Sequence, residues 1–370
     1  MSTAVMAERA QALTSAVRTE PAAESTYRDA LVAVMHDALA DHDNTLVIGQ
    51  GVTDHIGIFG TTAGLQGEFG RHRVIEAPLA EEAVTGICIG AALNGLYPIN
   101  THIRADFGLL AANQIINMAA KYRYIYGGLF EVPLMIRMII GRSWGQGAQH
   151  SQSLQSLFAH CPGLTVLMPS SPQAILTDYP HAIARNRGPV IVLEHRLLYD
   201  LSFSAPAEGA APRQPMRAHV ERKGRDVTIV ATSLMVLEAR RAAEHLRPHG
   251  IDCEVIDLNC LSHIDAEVVL RSVRKTGRLL VADTGWQGYG VNAEICRLVA
   301  QHDPTMLRAP VIGLGMAPTP CPTAKPLEDA FYPNLGDVCR AVVKLVGAGD
   351  IPMPSERSST EAYKSFRGPF

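Results

Sequence analysis

Two stretches of this 370-residue chain concentrate side chains that could move protons. The first, Glu76-Ala77-Pro78-Leu79-Ala80-Glu81-Glu82, ends an expected strand and opens an apolar helix. A carboxylate there would meet the positive end of a helix dipole. It would also lie at the carboxyl edge of a parallel sheet, where α/β proteins place their sites. From pattern alone, Glu81 is either such a site carboxylate or a plain first-turn charge. The second stretch, GRSWGQGAQHSQS from Gly141 to Ser153, is glycine-rich, polar and nearly free of aliphatics. His150 is its proton-transfer candidate, with a structural loop histidine as the alternative.

Other patterns carry less. Gly49-Gln50-Gly51-Val52-Thr53-Asp54 matches half of a dinucleotide fingerprint but lacks the third glycine and a following helix. Gly285-Trp286-Gln287-Gly288-Tyr289-Gly290 reads as a loop that lets a helix start close to the sheet. No Walker loop, His-Glu-x-x-His or Gly-x-Ser-x-Gly occurs. Nucleotide hydrolysis, zinc proteolysis and α/β-hydrolase chemistry therefore lose their usual support. The seven cysteines are scattered and never spaced Cys-x-x-Cys, so no disulfide framework and no metal site is expected. A reducing cytoplasm is the expected compartment.

The elements that must hold these groups alternate. A helix pattern from Thr26 leads to a strand at 46–48, with further helices near 81–95 and 108–127. Strands near 133–140, 164–168 and 189–194 are continuous apolar runs, the pattern of parallel strands buried on both faces. The rhythm stops in a Pro- and Ala-rich stretch, and a second α/β series then begins. Its strands fall at 227–230, 253–256 and 279–281, and its helices near 234–247, 265–275, 288–301 and 327–347. The reading is two α/β domains, 26–200 and 226–347, joined by a linker at 201–225. A loose arm at 1–25 and a polar tail at 348–370 flank them.

Composition agrees. At 47% hydrophobic and 19% charged residues the chain can bury a large core, which excludes disorder as the main state. The low charge also hints at surface buried against another chain. A net charge of −3 without basic runs gives no attraction to nucleic acid or anionic lipid. The least charged stretch, 83–103, is broken by glycines, Pro98, two asparagines and His102, so no membrane span is expected. The first 25 residues lack a signal-like apolar core, and Glu8, Glu20 and Glu24 argue against a transit peptide.

Several motifs then occur in a fixed order. Ala77-Pro78-Leu79-Ala80-Glu81 precedes Ala105-Asp106-Phe107 and Asn113-Gln114-Ile115-Ile116-Asn117-Met118-Ala119-Ala120-Lys121-Tyr122. Gln149-His150-Ser151-Gln152-Ser153 and Phe158-Ala159-His160-Cys161-Pro162-Gly163-Leu164 follow. The second half carries Gly288-Tyr289-Gly290-Val291-Asn292-Ala293-Glu294-Ile295, then Pro318-Thr319-Pro320 and Ala324-Lys325-Pro326-Leu327-Glu328-Asp329. Over about residues 26–347 the chain resembles the β subunits of the thiamine-diphosphate-dependent 2-oxo acid dehydrogenases. These are the decarboxylase components of pyruvate and branched-chain complexes.

The resemblance implies a pyrimidine-binding parallel-sheet α/β domain followed by a transketolase C-terminal-type α/β domain. It implies decarboxylation of a 2-oxo acid and acyl transfer to lipoamide, with thiamine diphosphate as cofactor. Glu81 would hydrogen-bond the cofactor's pyrimidine ring, Phe107 would stack on it, and His150 would serve proton transfer at the substrate end. The chain has no Gly-Asp-Gly motif for diphosphate and Mg²⁺. In the family that motif lies on an α subunit, which implies a shared site, an assembly of two α with two β, and a β chain silent alone. A lipoyl acyltransferase core and a bound monovalent cation are further family features.

Two departures bear on substrate. Gln50 stands where the family usually has Glu, and Thr101-His102-Ile103-Arg104 replaces a Glu-apolar run. His102 and Arg104 at a cleft wall would suit a polar or anionic substrate; as interface groups they would face the α subunit instead. A two-subunit carboligase or transketolase-type enzyme is the alternative activity that these departures keep open.

Overall fold

The computed structural model describes residues 24–54, 58–141, 145–205 and 211–354. The arm up to residue 23, the tail from 355, residues 142–144 of the polar loop and 206–210 of the linker lie outside them.

Helix α1 (Tyr27–Asp41) starts on a capping box, in which Thr26 and Asp29 satisfy each other's backbone amides. Its apolar stripe packs on one face of a six-stranded sheet. That sheet is parallel throughout and runs β3-β2-β4-β5-β7-β6. The strands are β2 (Thr45–Gly49), β3 (Val74–Glu76), β4 (Tyr97–His102), β5 (Leu134–Ile140), β6 (Thr165–Leu167) and β7 (Pro189–His195). Helix α2 (Glu81–Leu93) covers the other face, and α3 (Pro172–Arg185) packs beside α1. Strands β4, β5 and β7 are buried at every position. The mostly apolar runs of β5 and β7 predict this, whereas Asn100, Thr101 and His102 make the end of β4 a buried polar segment.

The second domain holds β10 (Val227–Ala231), β11 (Cys253–Asp257), β12 (Leu279–Trp286) and β13 (Ile312–Met316) in a parallel arrangement. Its four main helices are α4 (Leu234–Leu246), α5 (Ala266–Thr276), α6 (Val291–His302) and α7 (Leu335–Val346). One apolar cluster runs from Ile136 and Met138 of the first sheet to Val230, Ile256 and Val281 of the second, so the domains share a core.

Three expectations are revised. The linker span is partly ordered: β8 (Ser202–Ser204) pairs antiparallel with β1 (Glu24–Thr26), and β9 (His219–Arg222) pairs antiparallel with β11. The second sheet is therefore mixed. Both added strands are short, half-exposed edges, and such edges carry no long apolar run to read. The helix expected at 108–127 is a chain of short turns from Ala105 to Ile125 with a π-helical stretch at Asn113–Ala119. The last helix is two, because Pro333 interrupts it and Asn334 opens α7 with a capping box to Asp337.

Candidate active site

From β2 the chain passes to β3 on one side and then returns to β4 on the other. The carboxyl ends of β2 and β4 thus flank the crevice where open α/β sheets bind ligands. A small cleft there is lined by Gly49, Gln50, Ala77, Pro78, Glu81, Val84, Asn100, Thr101 and His102. Beside it an open groove runs along Leu79, Ala80, Glu81, Glu82, Gly86, Leu110 and Gln114. Glu81 lines both.

Each residue's place has a local cause. Gly49 ends β2 so close to β4 that a Cβ would lie 2.5 Å from the Thr101 carbonyl oxygen. The turn after it is braced by Glu76, whose carboxylate accepts from Gly51 N (2.6 Å), Thr53 N (3.1 Å) and Thr53 Oγ1 (2.8 Å). That brace holds Gln50 over the cleft, where its Nε2 donates to Glu81 Oε1 at 3.0 Å. Glu81 is only 8% exposed and is the first residue of α2, whose N-cap, Ala80, offers no side-chain acceptor. Its negative charge is stabilised there by the uncapped amides. Glu82 points elsewhere and accepts from Gln114 Nε2 at 2.9 Å.

His102 is buried and does not reach solvent. Asn100 Nδ2 lies 3.1 Å from its Nε2 and Thr85 Oγ1 lies 3.4 Å from the same nitrogen. Burial pushes the imidazole down to about 4, against an upward pull from the Glu81 carboxylate. Burial thus favours the uncharged imidazole in the wall of the cleft.

The polar loop leaves β5 at Gly141, where a Cβ would meet the His195 ring at 2.6 Å. It carries His150, whose ring stands edge-on to Phe107 with centroids 5.2 Å apart. Gln152 N donates to Asp106 Oδ1 at 3.2 Å, so the His150 loop is tied to the turn that carries Phe107. The base of the loop is fixed from the second domain: Ser153 Oγ meets Thr284 Oγ1 at 3.2 Å and Gln155 Nε2 donates to Asp283 Oδ1 at 2.9 Å. Phe107 is 36% exposed, with ring surface left for a ligand.

Arg104 follows β4 and points along the same edge. Its Nη2 donates to Gln146 Oε1 at 2.5 Å, and Arg196 Nη1 donates to that same oxygen at 2.6 Å. The Phe59 ring lies against the Arg104 guanidinium at 5.6 Å. Gln146, Arg196 and Asn100 had no signal in the sequence, because contacts across 42 and 50 residues leave no local pattern. So Gln50, Glu81 and His102 gather at one cleft, Phe107 and His150 pair across a loop, and Arg104 joins Arg196.

Comparison with known proteins identifies both domains. Residues 23–202 match the family described as the transketolase pyrimidine binding domain, and 216–338 the transketolase C-terminal domain. The β subunit of the mitochondrial pyruvate dehydrogenase E1 component from Bos taurus is 37% identical over 332 residues, 88% of this chain and 92% of that one. The corresponding subunit of Ascaris suum is 36% identical over 86% of this chain and 89% of its own length. The Homo sapiens subunit is 36% identical over 88% and 92%. A solved chain described as a split-gene transketolase in an inactive β4 tetramer superposes with a TM-score of 0.70 at 22% identity, covering 88% of this chain and 99% of that one. With its two matched domains and these close relatives, the chain belongs to the transketolase-like family of pyruvate dehydrogenase E1 component β subunits, the β chains of thiamine-diphosphate-dependent 2-oxo acid dehydrogenases.

Proposed function

We propose that this chain supplies the pyrimidine half of a thiamine diphosphate site that an α subunit completes. The observation that carries the reading is Glu81, a buried carboxylate at a helix start, held by Gln50 and lining both the cleft and the groove. A ring nitrogen needs such a partner: one carboxylate oxygen fixed from the protein side, in a recess whose walls combine Ala77, Pro78 and Val84 with Asn100 and Thr101. The residues fit the group.

When bound, thiamine diphosphate supplies the nucleophilic carbon and takes up the electrons released with CO₂. Glu81 exchanges a proton with the pyrimidine ring nitrogen, and Gln50 fixes its orientation. Phe107 covers a ring face. His150, standing against Phe107, moves a proton at the substrate end. Acyl transfer to lipoamide on an acyltransferase core is the step that follows.

Two features support a partner. No Gly-Asp-Gly sequence is present to carry Mg²⁺ and diphosphate, which supports a reading in which an α subunit holds both. Leu79 and Leu110 of the groove, and Ile87, Tyr124, Ile125 and Leu129 elsewhere on this domain, are each more than 60% exposed, large apolar side chains that a partner surface would cover. Two α with two β is the proposed assembly, and the inactive β4 form of the split transketolase supports a β chain that is silent alone. A monovalent cation held by backbone carbonyls belongs to the same reading. All seven cysteines are free thiols, which suits a cytoplasmic setting; the named relatives are mitochondrial. No helix among the described residues is long and apolar enough to cross a membrane.

Arg104, a buried cation at the same edge, favours a second reading: a two-subunit carboligase or transketolase-type enzyme for a polar or anionic substrate. Calorimetric titration of thiamine diphosphate with Mg²⁺ tests the shared site, first into the chain alone and then into its complex with α. Binding only by the complex is expected, followed by CO₂ release from 2-oxo acids. Tight binding by the lone chain would overturn the half-site.

A further inference from the structure

The loop after β5 presents one side chain to two buried cations. Arg104 and Arg196 are 3% and 0% exposed, and both donate to the single amide oxygen of Gln146. A neutral amide oxygen offers two lone pairs, and two like charges converge on it. The terminal nitrogen Nη1 of Arg104 is buried with no hydrogen-bond partner among the described residues. The Phe59 ring lies over the guanidinium at 5.6 Å. The adjacent acid, Asp106, has one oxygen engaged by the Gln152 amide. Arg196 feels the Glu328 carboxylate favourably and Arg104 unfavourably. Tyr199 and Tyr332 also border the pair.

Gln146 is mounted to be presented in this way. Gly145 and Gly147 flank it with φ of 64° and 70°. A Cβ on either would come 2.6 Å from Thr323 of the second domain. Glycine alone allows both the left-handed backbone and the close approach, and the amide is thereby aimed back at the arginines. The same loop carries His150 four residues on, so the pair lies along the edge that holds the proton-transfer candidates.

Paired forks of this kind match the geometry of an oxyanion, which accepts two bonds from each guanidinium. We propose that Arg104 and Arg196 form a specificity site for a second carboxylate on the 2-oxo acid, with Gln146 holding the place of that carboxylate until substrate arrives. The inference rests on reading the chain as an E1 β subunit, and it names the substrate class: 2-oxo dicarboxylic acids in preference to pyruvate. Displacing the amide oxygen by a carboxylate gives Arg104 Nη1 the acceptor it lacks.

The test uses the complex with its α subunit and compares substrates of equal length, 2-oxoglutarate against 2-oxovalerate. Wild type should favour the dicarboxylate at least tenfold in kcat/KM. Arg104→Met should cut that ratio at least tenfold. Gln146→Glu builds the carboxylate into the loop; it should erase the preference while raising the unfolding midpoint, so misfolding cannot explain the loss. Equal kcat/KM for the two substrates in wild type, or a preference intact in Gln146→Glu, would overturn the proposal. Absence of CO₂ from every 2-oxo acid would count against the parent reading. In that case titration of glutarate against valerate decides the anion site directly: tenfold tighter glutarate binding supports it, and equal binding removes it.

Discussion

Gln50 Nε2 donates to Glu81 Oε1 at 3.0 Å, across the mouth of the crevice between β2 and β4. An amide at this position orients the carboxylate without competing for its proton. Restoring a carboxylate with Gln50→Glu puts two acids within hydrogen-bonding distance, and such pairs share one proton and titrate together. The acid limb of the pH dependence of kcat/KM is expected to move to higher pH than in wild type. Gln50→Ala should lower kcat without that displacement. A limb in the same place in Gln50→Glu would show that the two side chains are not coupled in the working enzyme.

Glu81→Gln keeps the size of the side chain and the helix start but removes the exchangeable proton. Turnover in the complex should fall by roughly 10²-fold or more, the usual loss for a general acid–base group. Assembly with the α subunit and the unfolding midpoint should stay close to wild type, since Gln50 can still bond the new amide oxygen. Sedimentation alongside a turnover assay separates these readouts. Activity near the wild-type level in an intact assembly would remove Glu81 from the mechanism.

How far the sequence led can be judged from particular residues. Glu81, Phe107 and His150 could be singled out because each stands in a short motif, and the parallel sheet was legible because β5 and β7 are largely apolar runs. Helix α3 was not anticipated, although Ser171 caps it and Pro172 opens it; Pro180 in its interior breaks the pattern. His102 was read either as a cleft-wall group for a polar or anionic substrate or as an interface group; alternation along β4 turns it with Asn100 toward Thr85 of α2. The Gln146–Arg104–Arg196 contact is purely tertiary. Periodicity reads which face is buried, and it carries nothing about which distant polar groups meet there.

His102 gives a prediction about stability. Burial, partly opposed by Glu81, lowers its folded-state value to about 4, below the ~6.5 of a free imidazole. Between these values the unfolded chain holds a proton that the folded chain lacks, so acid favours unfolding there. The contribution is intact above about pH 6.5, declines as pH falls, and levels off near 4, a loss of about 3 kcal/mol. Urea unfolding of wild type and His102→Gln between pH 7.5 and 4.5 checks this. The wild-type curve should lose more stability on acidification; parallel curves would mean that the imidazole binds its proton equally well folded and unfolded.

Arg137 and Glu194 form an ion pair with no exposure at all, in the middle of the first sheet. Arg137 on β5 lies opposite Val192 of β7 and reaches Glu194 two residues on, with bonds of 2.6 and 2.8 Å. Tyr179 and Tyr199 add hydroxyl donors at 2.5 and 2.8 Å, so every Glu194 oxygen has two partners. Removing one partner of such a pair leaves a buried charge and typically costs about 3–5 kcal/mol. Arg137→Met should lose that much in urea unfolding of the complex. The double variant Arg137→Met/Glu194→Leu should recover part of the loss, held back by the two tyrosine hydroxyls left without an acceptor. Because Glu194 stands two residues before Arg196, Arg137→Met should also blur the discrimination between mono- and dicarboxylic 2-oxo acids before it abolishes turnover. A single variant within about 1 kcal/mol of wild type would contradict the burial argument, and unchanged discrimination would show that β7 holds Arg196 without help from this pair.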